Sequence, residues 1–260
     1  MTSANNDQAI AQEIRDCMLN GCVGFFLLYQ PVFFPDAKEP VGAEALLRWR
    51  SPEYGELTPN LFLADIEQEE GFRDLGYWIL YRAMTDGRLF LNADPNFTVC
   101  VNVSPPQITD PDFAEQLKGL SEMADFPLSQ LQLETNRNCR LLPLDTLSAF
   151  AEPLHALGVK IGIDDFGSGD AWLDSLKALQ ADYVKFSAEF TQNAGANETD
   201  QQALRHLSEV ARTYHSDIFF KAVESQETAD ALTDLTVQGA QGWFFSEAIY
   251  FDEVLAWIGA

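Results

Sequence analysis

The 260-residue chain has few basic side chains and no long apolar run. Only 16 Lys and Arg residues stand against 40 Asp and Glu residues, which gives a net charge of −24. This charge disfavours binding to DNA or RNA polymers, whose phosphates repel it. No segment reaches the roughly 18 consecutive apolar residues of a membrane span, and the amino terminus shows no basic region followed by an apolar stretch. We therefore expect a cytoplasmic protein that does not insert into membranes.

Two familiar sequence motifs are also missing. The four cysteines, at positions 17, 22, 100 and 139, form no Cys-x-x-Cys pair. In a chain of this size such cysteines are typical of buried free thiols in a reducing compartment rather than of a disulfide framework. The chain also lacks the glycine fingerprint of dinucleotide-binding folds, which disfavours an open doubly wound sheet of that type.

Strand-like apolar runs recur along the chain and alternate with helical patterns. The runs cover residues 25–29, 43–47, 98–103, 131–134, 160–163, 183–186, 218–223 and 240–245. The helical patterns cover residues 6–19, 73–84, 112–123, 144–157 and 201–214. Eight strands that alternate with helices predict an α/β protein with a closed (β/α)₈ barrel of the TIM type. We expect a lead-in at residues 1–23 and one domain at residues 24–260.

Several predicted strands end in side chains that carry oxygen atoms. These are Glu44, Asn102, Glu134, Asp164 and Asp165. Because strand ends converge on one face of a barrel, we expect these side chains to lie close together, and buried carboxylates need cations nearby. Oxygen ligands without a cluster of His or Cys favour Mg²⁺ or Mn²⁺ over zinc. The alternative for each acid by itself is a helix cap or a solvated loop position.

Residues 44–49, Glu-Ala-Leu-Leu-Arg-Trp, resemble the signature of the EAL family. The resemblance continues in order through Tyr-Gln-Pro at 29–31, Asn-Val-Ser at 102–104, Asp-Asp-Phe-Gly-Ser-Gly at 164–169, Lys185 and Gln-Gly-Trp at 241–243. It covers the chain from about residue 24 to its end. This resemblance implies a modified TIM barrel with one antiparallel strand. It also implies the ligand cyclic di-GMP, which the family hydrolyses to the linear dinucleotide pGpG.

The resemblance also implies metal ligands. By position, Glu44, Asn102, Glu134 and Asp164 would hold one Mg²⁺ or Mn²⁺ ion. Asp164 and Asp165 would hold a second ion, so that Asp165 would also take part in catalysis. Two such ions would hold a hydroxide in line with a phosphodiester phosphorus and neutralise the charge that develops there.

Ligand-binding and further catalytic residues follow from the same resemblance. Lys185 would orient the nucleophile or stabilise phosphate oxygens, and Gln241 would belong to the catalytic set. Gln30, Leu47 and Arg48 would bind the ligand, and Arg48 would offer a charged fork to phosphate.

The resemblance breaks at residues 220–225, which read Phe-Lys-Ala-Val-Glu-Ser where the family has Ala-Glu-Gly-Val-Glu-Thr. Lys221 therefore stands at the catalytic first glutamate, and Gln241 follows it at the family's spacing of about twenty residues. Glu224 corresponds to the second glutamate of the motif. A lysine in place of an acid weakens binding of the second metal ion, so only one of the two sites is expected to be occupied. We predict that the protein binds cyclic di-GMP and hydrolyses it poorly or not at all.

Two further departures concern the loop that follows Asp165. Arg137 replaces a family glutamate that anchors this loop, and the loop itself reads Asp-Ala-Trp at 170–172 instead of Tyr-Ser-Ser. Ser187 replaces an aspartate that follows the strand-six lysine. These changes add to the case against full catalytic activity.

Alternatives remain open for Lys221 and for the function as a whole. The ammonium of Lys221 could take the place of a metal ion and contact phosphate, or the side chain could be a solvated surface lysine. The whole protein could be an active cyclic di-GMP phosphodiesterase, or an adaptor that binds proteins and no nucleotide. A homodimer and a further protein partner also remain open, because family members pair through barrel helices.

Overall fold

The computed structural model describes residues 3–34, 37–67, 69, 71–168, 172–194, 198–232 and 235–259. Its strands are β1 (Phe25–Phe33), β2 (Pro40–Ser51), β3 (Gly55–Leu57), β4 (Thr98–Val103), β5 (Leu131–Thr135), β6 (Lys160–Phe166), β7 (Tyr183–Phe186), β8 (Asp217–Phe220) and β9 (Gly239–Ala240). Its helices are α1 (Ser3–Leu19), α2 (Leu63–Ile66), α3 (Phe72–Ala93), α4 (Pro105–Ile108), α5 (Phe113–Ala124), α6 (Leu144–Ala156), α7 (Trp172–Leu179), α8 (Ala188–Gln192), α9 (Glu198–Thr213), α10 (Gln226–Leu232) and α11 (Phe251–Ile258).

Eight of the strands close into a barrel. The hydrogen-bonded order is β1-β9-β8-β7-β6-β5-β4-β2, and β1 also pairs with β2 and so completes the ring. β3 lies outside the ring, as a hairpin extension of β2. β1 runs antiparallel to both β2 and β9, whereas all other neighbours in the ring are parallel. The predicted TIM-type barrel with one antiparallel strand is confirmed.

Two predicted strands end earlier than their apolar patterns suggest. The predicted strand 218–223 ends at Phe220, and the predicted strand 240–245 ends at Ala240. The backbone leaves the barrel at Ala222, whose φ of 58° is a left-handed conformation that no strand contains. The amide of Val223 donates instead to the carbonyl of Gln241 (3.1 Å), so the two chain segments turn together at the rim.

Aromatic rings fill the inside of the barrel where neighbouring strands carry glycine. Tyr183 on β7 is the register partner of Gly162 on β6, and a Cβ atom at Gly162 would lie 2.1 Å from the Tyr183 ring. Phe219 on β8 faces Gly239 on β9 in the same way, at 2.4 Å. Such pairing of large and small residues lets a closed barrel pack its interior without voids.

Helices cover the outside of the barrel. In α3, Leu80, Met84 and Phe90 are completely buried against the strands. The amphipathic helix predicted at residues 6–19 lies within α1, and its Ile14 and Met18 belong to the same core. Among the described residues, no helix has both the length and the apolar character required to cross a bilayer.

We predict that Gly162→Ala destabilises the protein by about 1–3 kcal/mol, because the added methyl group overlaps the Tyr183 ring and the core cannot yield freely. Urea denaturation, read as the change in midpoint, measures the effect. Gly119→Ala in α5 is the matched control, since nothing lies within 4 Å of its added Cβ atom. In a helix the control change is expected to be neutral or to stabilise by up to about 1 kcal/mol. Equal midpoints for the two variants would contradict this account of the interior.

Candidate active site at the carboxyl ends of the strands

The predicted oxygen-bearing residues come from neighbouring strands of the barrel. Asn102 on β4 is the register partner of Glu134 on β5, and Gln30 on β1 is the register partner of Glu44 on β2. Parallel strands bring their carboxyl ends to one rim, which is where the active sites of such barrels lie. The site is therefore a direct product of strand register.

Lys185 forms the centre of a buried ion cluster. Its Nζ lies 2.9 Å from Oε2 of Glu44 and 2.5 Å from Oε1 of Glu134. The three side chains are 3%, 10% and 1% exposed, so water screens these charges very little. Burial alone would lower the pKa of Lys185, but the charges of Glu134 and Glu44 raise it well above its ordinary value. The lysine is therefore a fixed positive charge.

The single ammonium group neutralises one of its two carboxylates. Burial would raise the pKa of Glu44, but the charge of Lys185, with hydrogen bonds from Lys185, Gln241 and Asn102, lowers it to about 2. Burial raises the pKa of Glu134 to about 7; Lys185 opposes this shift, and the negative charges of Glu44 and Asp164 reinforce it. Glu44 therefore stays ionised, whereas Glu134 readily takes up a proton.

Amide side chains complete the environment of Glu44. Nδ2 of Asn102 donates to Oε1 of Glu44 at 2.8 Å, and Nε2 of Gln241 donates to Oε2 at 2.7 Å. The same Gln241 nitrogen also donates to Oε1 of Gln30 at 3.2 Å. The hydroxyl of Tyr183 donates to Oε1 of Glu134 at 3.2 Å. These contacts fix the orientation of both carboxylates before any ligand binds.

Lys221 lies between the two adjacent aspartates. Its Nζ is 2.8 and 2.9 Å from the two carboxylate oxygens of Asp164 and 2.6 Å from Oδ1 of Asp165. Burial alone would lower the pKa of Lys221, but Asp164 and Asp165 raise it above its ordinary value. With 23% of its side chain exposed, Lys221 is not the solvated surface lysine of the alternative interpretation.

The loop that follows Asp165 is held by a residue that was not among the candidates from the sequence. Arg140, 3% exposed, donates through Nη1 to the carbonyl of Asp164 and through Nη2 to the carbonyl of Ser168 at 3.5 Å. Asp165 adopts a left-handed φ of 54°, and the Ser168 hydroxyl donates to its carbonyl at 2.7 Å. Arg137, at the position of the family's loop anchor, is exposed. Residues 169–171 lie outside the described part of the chain, so the altered loop at 170–172 is described only at Trp172.

A cavity of about 330 Å³ opens beside these clusters. It is lined by Gln30, Glu44, Leu46, Asp164, Lys221, Ala222, Glu224, Gln241, Gly242 and Trp243. Leu47, predicted to bind the ligand, does not line this cavity; it is 92% buried in the core, and Leu46 lines the cavity instead. Side chains alternate along β2, so Leu46 shares the face of Glu44 and Leu47 points the other way. Arg48 lies beyond the cavity lining and donates to the carbonyl of Leu47 at 2.8 Å.

The donor atoms at the rim are oxygens, which suit a hard divalent cation. Oε2 of Glu134 is buried and has no hydrogen-bond partner among the described residues, so it remains an available oxygen ligand beside Glu44 and Asn102. Within the described residues, there is no group of three or more His, Cys, Asp or Glu side chains placed so that it could hold a metal ion. The Lys221 ammonium bridges Asp164 and Asp165, as the Lys185 ammonium bridges Glu44 and Glu134.

The family model for the EAL domain matches residues 11–248. The chain belongs to the EAL domain family. The uncharacterized protein Rv1357c of Mycobacterium tuberculosis is 33% identical to this EAL chain over 88% of the chain and 76% of its own length. PdeI of Escherichia coli, named a probable cyclic di-GMP phosphodiesterase, is 30% identical over 93% of the chain but only 31% of its own length.

A solved structure shares the complete architecture of this EAL domain. The EAL enzyme Bd1971, in its form bound to cAMP and cyclic di-GMP, superposes with a TM-score of 0.90 at 26% sequence identity. The match covers 99% of this chain and 70% of that chain. The similarity therefore extends over the barrel and the rim that carries the ion clusters.

We predict that the Glu134 proton makes the stability of the metal-free EAL domain depend on pH. Folding raises the pKa of Glu134 from its ordinary 4.5 to about 7. The native state therefore binds an extra proton between these values, and its stabilisation is complete below pH 4.5 and lost as the pH rises through 7. Between pH 5 and pH 8 the loss is expected to reach at most about 3 kcal/mol. Glu134→Gln is expected to remove it.

Urea unfolding in EDTA at several pH values measures this component as the difference between wild type and variant. Glu152→Gln, at an exposed position of α6, removes the same charge from the surface and is the control. If Glu134→Gln and Glu152→Gln change the pH profile equally, Glu134 does not carry the proton.

Proposed function

We propose that this EAL domain binds cyclic di-GMP at the described rim and hydrolyses it slowly or not at all. The observation that carries the proposal is the position of Lys221, with its ammonium 2.6–2.9 Å from three carboxylate oxygens of Asp164 and Asp165. Ligand binding is supported by the cyclic di-GMP in the Bd1971 structure, whose fold this chain shares. The proposed ligand is small, so the negative charge of the whole chain does not exclude it.

Local groups at the cavity are suited to an anionic nucleotide. Lys221 presents a positive charge, and Gln30 and Gln241 present amide groups on the same lining. Arg48, whose guanidinium is half-buried near the rim, offers a second cation to a phosphate that extends beyond the cavity. Lys221, paired with Asp164 and Asp165, lowers the negative charge of the rim, and Arg48 would meet a phosphate directly, so neither contribution needs a metal ion.

The same arrangement opposes hydrolysis. Glu44, Asn102 and Glu134 would hold one Mg²⁺ or Mn²⁺ ion, which would supply positive charge to a phosphate oxygen. A second divalent ion at Asp164 and Asp165 would meet the ammonium of Lys221, and a doubly charged ion about 4 Å from an ammonium is repelled by about 8 kcal/mol at an effective dielectric constant of 20. Unlike a metal ion, an ammonium group does not lower the pKa of a bound water molecule. The nucleophile for hydrolysis is therefore not generated at this position.

An active phosphodiesterase is the second candidate function, and a specific observation favours it. All five predicted oxygen-bearing residues belong to ion clusters at the rim. Glu44 and Glu134 contact Lys185, and Asn102 donates to Glu44. Asp164 and Asp165 contact Lys221. A protein that served only as an adaptor and bound no ligand would not need such a set of buried charges. A cytoplasmic location, a homodimer and a protein partner remain proposals.

We predict that Lys221→Glu raises the rate of pGpG formation at least about 100-fold in the presence of Mg²⁺ or Mn²⁺. The added carboxylate replaces a repulsive charge with a metal ligand and restores a general base, which typically contributes 10²–10⁴-fold. Chromatographic separation of cyclic di-GMP and pGpG measures the rate. Lys160→Glu is the matched control, because it makes the same charge change at the exposed first residue of β6, at the opposite end of the barrel.

The outcomes of this comparison are distinct. If the unmodified protein hydrolyses cyclic di-GMP rapidly and Lys221→Glu does not raise the rate, the result would support the active phosphodiesterase and contradict the proposal. An equal gain from Lys160→Glu would show that overall charge, and not position 221, sets the rate.

We also predict that removing metal leaves ligand affinity nearly intact. Because the ammonium of Lys221 supplies charge that does not depend on bound metal, EDTA is expected to change the Kd for cyclic di-GMP by less than about tenfold, or 1.4 kcal/mol. Isothermal titration calorimetry in EDTA, Mg²⁺ and Mn²⁺ measures this. An absence of binding in all three buffers would favour the adaptor, and binding only with metal would contradict the role of Lys221.

A further inference from the structure

Trp243 is the most exposed of the five tryptophans, and it lies on the cavity. Its side chain is 74% exposed, compared with 39% for Trp257 on α11 and 0% for Trp49. It lines the cavity together with Lys221 and Gln241. A large aromatic ring left in water at the edge of a polar site is an unusual use of an apolar side chain. A ligand that covers the ring would recover the free energy of its burial.

The backbone that carries Trp243 is fixed. A Cβ atom at Gly242 would lie 2.2 Å from the carbonyl oxygen of Val223, so the two segments are in close contact there. The amide of Phe244 donates to the carbonyl of Val223 at 3.0 Å, and the amide of Ser246 donates to that of Gly242 at 2.9 Å. Hydrogen bonds on both sides hold this turn in place. The indole ring is thus presented from a fixed position and not from a loose loop.

The neighbouring groups indicate which part of a ligand meets the ring. Phosphate oxygens are the natural partners of Lys221 and the amide of Gln241, both on the cavity lining. The cavity of about 330 Å³ is at the small end of the range for ligand pockets, so a dinucleotide with two purines extends past its rim. An indole beside a phosphate site is suited to stack on a nucleobase, since every base presents a flat π face.

We propose that Trp243 is the stacking platform for one guanine base of cyclic di-GMP. The inference rests on the proposed function, because it assumes that this ligand binds at the rim. A protein partner docking on Trp243 and the half-exposed Phe244 is the competing use of the same surface. Base stacking is favoured because Trp243 lines the cavity, whereas Phe244 does not.

Calorimetry with cyclic di-GMP on the full chain tests the proposal, with Trp243→Ala, Trp243→Phe and Trp257→Phe compared with wild type. Trp243→Ala is expected to raise the Kd at least fivefold, because it removes the stacking surface. Trp243→Phe retains a ring and is expected to restore most of the affinity. The ligand should quench tryptophan emission in wild type and in Trp257→Phe, and this quenching should be lost in Trp243→Phe.

The possible results separate this inference from the proposed function. If the wild-type protein does not bind cyclic di-GMP, both are overturned. If it binds and Trp243→Ala leaves the Kd and the thermal midpoint unchanged, stacking alone is overturned and the surface is left to a protein partner. A lower affinity that Trp243→Phe restores, together with loss of quenching in that variant, supports stacking.

Discussion

Charge balance at one end of a closed barrel is the constraint on which this molecule depends. Strand register brings four carboxylates to the rim, and such a group of acids is stable only with cations among it. Two lysines supply the cations, one buried at the centre and one at the edge. Lys185 neutralises Glu44 and leaves Glu134 able to hold a proton. Lys221 offsets part of the negative charge of Asp164 and Asp165.

Much of this arrangement could be predicted from the sequence, because it follows from patterns that are local to each strand. Apolar runs located all eight strands of the ring, and the polar residues at the ends of several runs identified the rim. The convergence of Asn102, Glu134 and Lys185 then needed only the rule that parallel strands end at one face. Within the ring, β1 is the antiparallel strand that the resemblance implied, since it runs against both β2 and β9.

What sequence could not supply depends on contacts between segments. Leu46 and Leu47 are identical in chemistry, and only the pleat of β2 decides which of them lines the cavity. Arg140 lies five residues after β5, and nothing in the chain order shows that its guanidinium reaches the carbonyls of Asp164 and Ser168. The apolar patterns around Phe220 and Ala240 continue beyond the strands, where the two segments form a turn at the rim: the amide of Val223 donates to Gln241, and that of Phe244 donates to Val223. Apolar character alone does not distinguish this turn from a strand.

In the proposed function, Lys221 stands where a metal ion would bind, and it separates two properties that the ion would combine. A divalent ion both attracts phosphate and activates water, and its presence depends on the concentration of free metal. The ammonium of Lys221 lowers the negative charge that a phosphate meets but cannot activate water, and its pKa, raised by Asp164 and Asp165, keeps it charged throughout the physiological range. The proposed function is therefore affinity without turnover. Occupancy of such a site would follow the concentration of its ligand and not that of a metal ion, which is the behaviour that a receptor requires.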